Sequence, residues 1–293
     1  MSRAAVLAGV GSALPGRDDR PGAAHPAVVA GARALAGCRA GRTGTVVVAS
    51  TVPGGAPAPG AAEVARELGL AGAAPSGRPA AEGGLLLALA DAARLVESGA
   101  SDRALVVGTG DVPCPADDGS PASRTGAGAF VLRAGDPEEP GALGPFELVG
   151  DGDAPPDAAG SVPPGAAPPH PAPRFSLEST RAFWRTVQRM GQAAQAVLDR
   201  TGWTAGDVDV LLVLQEHRTM TRRLADELGI PAERRPGAAA GPAGPTAFPL
   251  ALDHLGATRT LHPGHRVLLA ACHVGAGATS GATVLTWPRL DSG

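Results

Sequence analysis

The stretch Ala80-Ala81-Glu82-Gly83-Gly84-Leu85, running through Leu86-Leu87-Ala88-Leu89 towards Ala104-Leu105-Val106-Val107-Gly108, decides how this chain is read. From residue 85 to 98 the side chains of Leu85, Leu86, Leu89, Ala92, Ala93 and Val96 recur at helical spacing on one wide apolar face, and Gly99 is placed to end the helix. The run at 104–107 is apolar at every position, as a strand covered on both faces must be. Glu82 therefore stands just before the first turn of a buried helix. There the free N–H groups and the helix dipole favour a negative charge, by about 0.3–1 kcal/mol and up to about 2 if partly buried.

Strands and helices alternate on either side of this unit. Short apolar runs at 6–10 and 45–50 read as buried strands, and between them residues 26–36 read as a helix with Pro26 at its start and Gly37 past its end. A short helix over 61–68 stops at Gly69, and a strand over 127–132 follows a Pro-rich loop containing Cys114. Residues 136–174 are dense in Pro and Gly and read as a linker and surface excursion with one strand at 146–149. The rhythm then resumes with helices over 177–200, 219–228 and 246–255 and strands over 208–214, 266–271 and 282–287. Gly126-Ala-Gly-Ala-Phe-Val-Leu after a strand is echoed by Gly281-Ala-Thr-Val-Leu after another, a weak internal duplication. The expected division is an N-terminal half over 1–135, the excursion over 136–174 and a C-terminal half over 175–293.

Composition narrows the function classes. The chain has 293 residues, a net charge of −3, and no Lys, Asn or Tyr. Residues with AT-rich codons are thus missing, which points to a GC-rich genome and makes the abundance of Ala, Gly, Pro and Arg weak evidence for disorder. The arginines are scattered, against nucleic-acid binding. Three distant cysteines, Cys38, Cys114 and Cys272, suit a reducing cytoplasm better than a disulfide framework. No apolar run reaches the roughly 18 residues of a membrane span. The seven histidines show no metal-binding spacing and no phosphate loop is present, so neither metal nor cofactor is expected.

The order of these motifs resembles the thiolase superfamily, and within it beta-ketoacyl-ACP synthase III. Gly9-Val-Gly-Ser-Ala-Leu-Pro15 is similar to the family's first strand and its exit, Ala81-Glu82-Gly-Gly-Leu85 to its nucleophile turn, and Gly126-Ala-Gly-Ala to the close of its first half. Phe248-Pro-Leu-Ala-Leu and Thr279-Ser-Gly-Ala resemble two of its C-terminal signatures. The resemblance implies a layered αβαβα fold of two similar halves that normally dimerises. It also places the family's catalytic Cys, His and Asn on Glu82, Leu214 and Pro242, so the set is lost. The segment between Pro15 and His25 is too short for the family's coenzyme A-gripping loop.

Three readings follow. The first is a non-condensing partner of an active ketosynthase, or an acyl-carrier-binding component, in fatty-acyl or polyketide and other secondary-metabolite biosynthesis. The second is a redirected acyltransferase, decarboxylase or hydrolase in which Glu82 works with His217 or His273. The third is a purely structural homodimer. Glu82 can equally be a helix cap that plugs the old thiol site. His217 can cap or lie on the surface, and Cys272 and His273, adjacent on a strand, face opposite ways and form no dyad. Gly275 and Gly277 fall on the family's glycine loop, whose amides contribute to an oxyanion hole. Arg218, Arg222 and Arg223 fall where the family docks its acidic carrier protein, although a solvated helix face explains them as well.

Overall fold

The computed structural model describes residues 3–14, 25–38, 41–50, 60–79, 84–115, 121–150, 177–214, 218–235, 244–273 and 279–290. Its strands form two sheets. In the first, β1 (Ala4–Ala13), β2 (Thr45–Ser50), β3 (Ala74–Pro79), β4 (Arg103–Pro115) and β5 (Pro121–Gly135) lie in the order β1-β5-β4-β2-β3. In the second, β6 (Glu147–Gly150), β7 (Val210–Leu214), β8 (Arg266–His273) and β9 (Thr279–Thr286) lie in the order β6-β9-β8-β7.

The alternation of side chains along each strand sets the layers. On the first sheet Val46, Val48, Leu105, Val107, Ala129 and Val131 face one way. They are covered by α1 (Pro26–Ala36) and α2 (Ala61–Glu67). Val47, Val106, Phe130 and Leu132 face the other way, onto α3 (Gly84–Glu97) and α6 (Ala247–Ala257). The second sheet closes that central layer with Val210, Leu212, Leu214, Val267 and Leu269. Its outer face, Leu211, Leu268, Ala270 and Cys272, is covered by α4 (Leu177–Thr201) and α5 (Arg218–Leu228). The result is helix, sheet, helix, sheet, helix. Within residues 136–146 the backbone stitches the sheets together: Leu7 N–H donates to Gly141 O at 2.8 Å, and Gly144 N–H to Val284 O at 2.7 Å.

Two expectations are revised and one strand is added. The strands expected at 104–107 and 127–132 are parts of one long hairpin, paired from Arg103 with Arg133 out to Pro115 with Pro121. Cys114 therefore lies on β4 opposite Ala122 and not in a loop. Among the described residues β2 pairs with β4 only as far as Thr109, and beyond it no second described strand flanks β4, a position at which prolines are tolerated. Finally β3, with Pro75, Gly77 and Pro79, has the composition of a turn. Among the described residues it is an edge strand held by β2 alone, and the Ala74 N–H donates inward to Gly44 O at 2.8 Å. By alternation the N–H positions of residues 75, 77 and 79 face outward, where two prolines have no hydrogen to miss.

Candidate functional site

The helix α3 enters the central layer with Leu85 and Leu86 fully enclosed. Glycines let its first turn come close to its neighbours. A Cβ on Gly108 of β4 would sit 2.1 Å from the Pro245 carbonyl oxygen and 3.2 Å from Leu85 Cδ1. A Cβ on Gly128, the partner of Gly108 across the hairpin, would sit 2.4 Å from Pro249 Cγ. On the opposite sheet a Cβ on Gly281 would lie 2.9 Å from Leu86 Cδ2. Gly128 of the Gly126-Ala-Gly-Ala motif and Gly108 opposite it thus form a flat bed on which the turn Gly244–Thr246 and the start of α6 rest.

This packing brings the start of α3 and the turn Gly244–Thr246 together at Gly108. Glu82 and Pro242 lie outside the described residues, but each is two residues upstream of Gly84 and Gly244, the ends of the two elements that meet at Gly108. Leu214 ends β7 in register with Ala271, 2 % exposed and facing the central layer in the same apolar cluster as Leu85 and Phe248. His217, Gly275 and Gly277 also lie outside the described residues, between β7 and α5 and between β8 and β9. His273 is the last residue of β8, its backbone paired with Thr279.

Neither described thiol belongs to the site. Cys272 is buried on the outer face of the second sheet, against the α4 and α5 layer. Cys38 donates from Sγ to Ala34 O at 3.1 Å, and burial pushes its thiol up in pKa despite Arg103 and Arg133 nearby. Among the described residues no group of three or more His, Cys, Asp or Glu is placed to hold a metal ion, and no helix is long and apolar enough to cross a membrane.

Of the expected docking arginines, Arg218 is the first residue of α5, and Arg222 and Arg223 are exposed one turn on. The sequence reading missed what lies beside them. Trp184 on α4 is stacked under Arg223, with Arg181 and Arg185 flanking it. The signal was legible as Arg181, Trp184 and Arg185 at helical spacing, three and four residues apart.

Five alternating layers around two buried helices define a thiolase-like protein. The comparisons agree. Residues 198–287 match the model of the 3-oxoacyl-[acyl-carrier-protein] synthase III C-terminal family. The chain is 42% identical to beta-ketoacyl-[acyl-carrier-protein] synthase III 3 of Streptomyces coelicolor, across 99% of both chains. The crystal structure of 3-oxoacyl-(acyl carrier protein) synthase III from Pseudomonas aeruginosa PAO1 superimposes with a TM-score of 0.77 at 31% identity, covering 98% of this chain and 99% of that one. The priming beta-ketosynthase from the R1128 polyketide biosynthetic pathway gives 0.74 at 26% identity, covering 99% and 98%. This chain belongs to the beta-ketoacyl-[acyl-carrier-protein] synthase III family. The S. coelicolor alignment spans 336 positions, more than the 293 residues here, so it is completed only with gaps on this side.

Proposed function

We propose that this family member does not perform Claisen condensation. It acts as a non-condensing partner subunit of an active ketosynthase, or as an acyl-carrier-binding component, in fatty-acyl or polyketide biosynthesis. The observation that carries the reading is Leu214. At the end of β7, where the resemblance puts a histidine donor, an aliphatic side chain is buried against the central layer together with Leu85.

The chemistry explains why this weighs so much. Condensation needs a thiolate to carry the acyl group as a thioester, then two donors to hold the enolate oxygen after malonyl decarboxylation. A carboxylate at Glu82 is a poor nucleophile whose acyl adduct would be an anhydride. Leucine donates nothing, and proline at 242 has no N–H. The whole chain contains no asparagine, so no other alignment restores that member of the set. In this reading Glu82 caps α3 at the old thiol position, the Gly275 and Gly277 amides remain as backbone donors, and Arg218, Arg222 and Arg223 meet the carrier.

Association with a second ketosynthase-like chain, in a homodimer or a heterodimer, would use the open edge of β3, where Gly77 is the one outward backbone donor between two prolines. The test is co-expression with an intact Cys-His-Asn paralogue, with condensation measured in the presence and absence of this chain. A complex whose rate or chain length depends on this chain supports the proposal. A chain that neither associates with the paralogue nor binds acyl-carrier protein refutes it. Transfer or hydrolysis abolished by Glu82→Ala, His217→Ala or His273→Ala would favour the redirected enzyme.

A further inference from the structure

The first turn of α1 rests on a titratable acceptor. Pro26 brings no N–H, and the Val28 and Val29 N–H groups both donate to the His25 carbonyl oxygen, at 2.8 and 3.2 Å. The Ala27 N–H donates instead to the His25 side chain, reaching Nδ1 at 3.1 Å. Ala27 is 0 % exposed and packs in one cluster with Ala61, Val64 and Ala65 of α2, so water has no access to that N–H. Either the imidazole satisfies it or the turn opens.

The ring can hold this position only while it is neutral. Protonation puts a hydrogen on Nδ1, removes the acceptor, and sets a positive charge at the positive end of the α1 dipole. Burial also disfavours the charged form, against the pull of Glu63 and Glu67. Those two carboxylates, one turn apart and exposed on α2, share one cation: Arg66 lies 3.9 Å from Glu63 and 3.4 Å from Glu67. The three side chains carry one net negative charge, which a charged His25 balances.

Other charges on the elements packed against α1 lie elsewhere. β1 carries none, and Arg33, two turns along α1, donates to Ser12 O at 2.6 Å. Arg103 and Arg133 act on Cys38 at the far end of α1. Asp111, Cys114 and Arg124 are carried on the hairpin arm past the end of β1. A Cβ on Gly9 would meet Ala34 O and one on Gly11 would meet Ala30 O, so α1 runs back along β1 and His25 stands near the end of that strand. There Ser12 is in register with Gly128, and Gly128 with Gly108, which puts the ring at the candidate-site end of the first sheet, on its outer face.

We propose that His25 is a two-position proton switch. The neutral ring closes the first turn of α1; the protonated ring leaves it for Glu63 and Glu67 of α2, and the turn opens while the sheets stay folded.

The experiment is an NMR titration of the full-length chain from pH 8 to 5. It follows the His25 ring nitrogens, amide exchange at Ala27 and, as internal control, amide exchange at Val106 of β4. At pH 8 the expected state has Nδ1 without a hydrogen and Ala27 protected. One pH unit below the His25 midpoint about a tenth of the rings remain neutral, so Ala27 protection should fall about tenfold while Val106 is unchanged. Glu63→Gln/Glu67→Gln should move the midpoint to lower pH, and His25→Asn, which keeps a capping oxygen, should hold Ala27 protected throughout. The proposal is overturned if His25 stays neutral to pH 5, if it titrates without a change at Ala27, or if the double variant leaves the midpoint in place. Loss of Ala27 and Val106 protection together also overturns it, because the chain would then be unfolding as a whole.

Discussion

Replacing Gly108 by alanine tests the packing that brings the start of α3 and the turn Gly244–Thr246 together. In a strand, alanine in place of glycine should by itself be mildly favourable, since glycine loses more backbone entropy on folding. Here the added carbon would stand 2.1 Å from the Pro245 carbonyl oxygen, 2.8 Å from its carbon and 3.2 Å from Leu85 Cδ1. An unstrained carbon–oxygen contact is about 3.3 Å, so the turn must retreat by roughly 1 Å. The obstacle is backbone, held from below by Pro249 against Gly128, and cannot swing away as a side-chain end would. Overpacking of this kind costs about 1–3 kcal/mol, and the immobile obstacle puts Gly108→Ala at the upper end of that range. Urea unfolding followed by circular dichroism measures the change. Gly77→Ala is the control, since nothing lies within 4 Å of a Cβ there. If Gly108→Ala is within about 0.5 kcal/mol of wild type, the ordinary range for an unconstrained surface change, the described contact of the turn with β4 is wrong.

Three further outcomes are expected. Leu214→Ala removes a buried side chain from the central layer and should lower stability by about 2–5 kcal/mol in the same unfolding assay; a negligible effect would mean that the position is open. His25 caps α1 by accepting the Ala27 N–H at 3.1 Å on Nδ1, and burial lowers its pKa against the pull of Glu63 and Glu67. Its contribution is therefore full above the unfolded value of about 6.5 and declines as pH falls through that value towards the folded one. His25→Asn, which keeps a capping oxygen, should flatten that decline in a melting-temperature series between pH 8 and 5. Pro75→Thr/Pro79→Thr supplies two outward N–H groups on the free edge of β3 and should increase self-association in sedimentation velocity, whereas an unchanged profile would mean that this edge is not available for pairing.

Much of the fold was legible because its elements are strongly punctuated. Pro26 and Gly37 bracket α1, Gly69 and Gly99 take positive φ where α2 and α3 stop, and the apolar runs of β2 and β7 have nowhere to lie but between layers. What failed were stretches where composition and position disagree. Pro75 and Pro79 deny a strand to any reading by propensity, yet at an edge with outward-facing nitrogens they break no hydrogen bond. Beyond Gly108, the residues through Pro115 have the look of a turn, yet the ladder to β5 carries them as strand. At the candidate site the resemblance points to the segments just before α3 and before the turn Gly244–Thr246, and the structure adds that the two elements those segments lead into meet at Gly108, Leu85 and Pro245. The contact of Trp184 on α4 with Arg223 on α5 was not legible because it joins two helices that only the fold brings side by side.

The central claim is most directly tested by incubating the purified chain alone with an acyl thioester and malonyl-acyl carrier protein, and following both carbon dioxide release and the β-ketoacyl product. The account predicts neither above the enzyme-free background, with product appearing only when an intact ketosynthase partner is added. Multiple-turnover condensation by this chain alone, with Glu82, Leu214 and Pro242 in place, would contradict it.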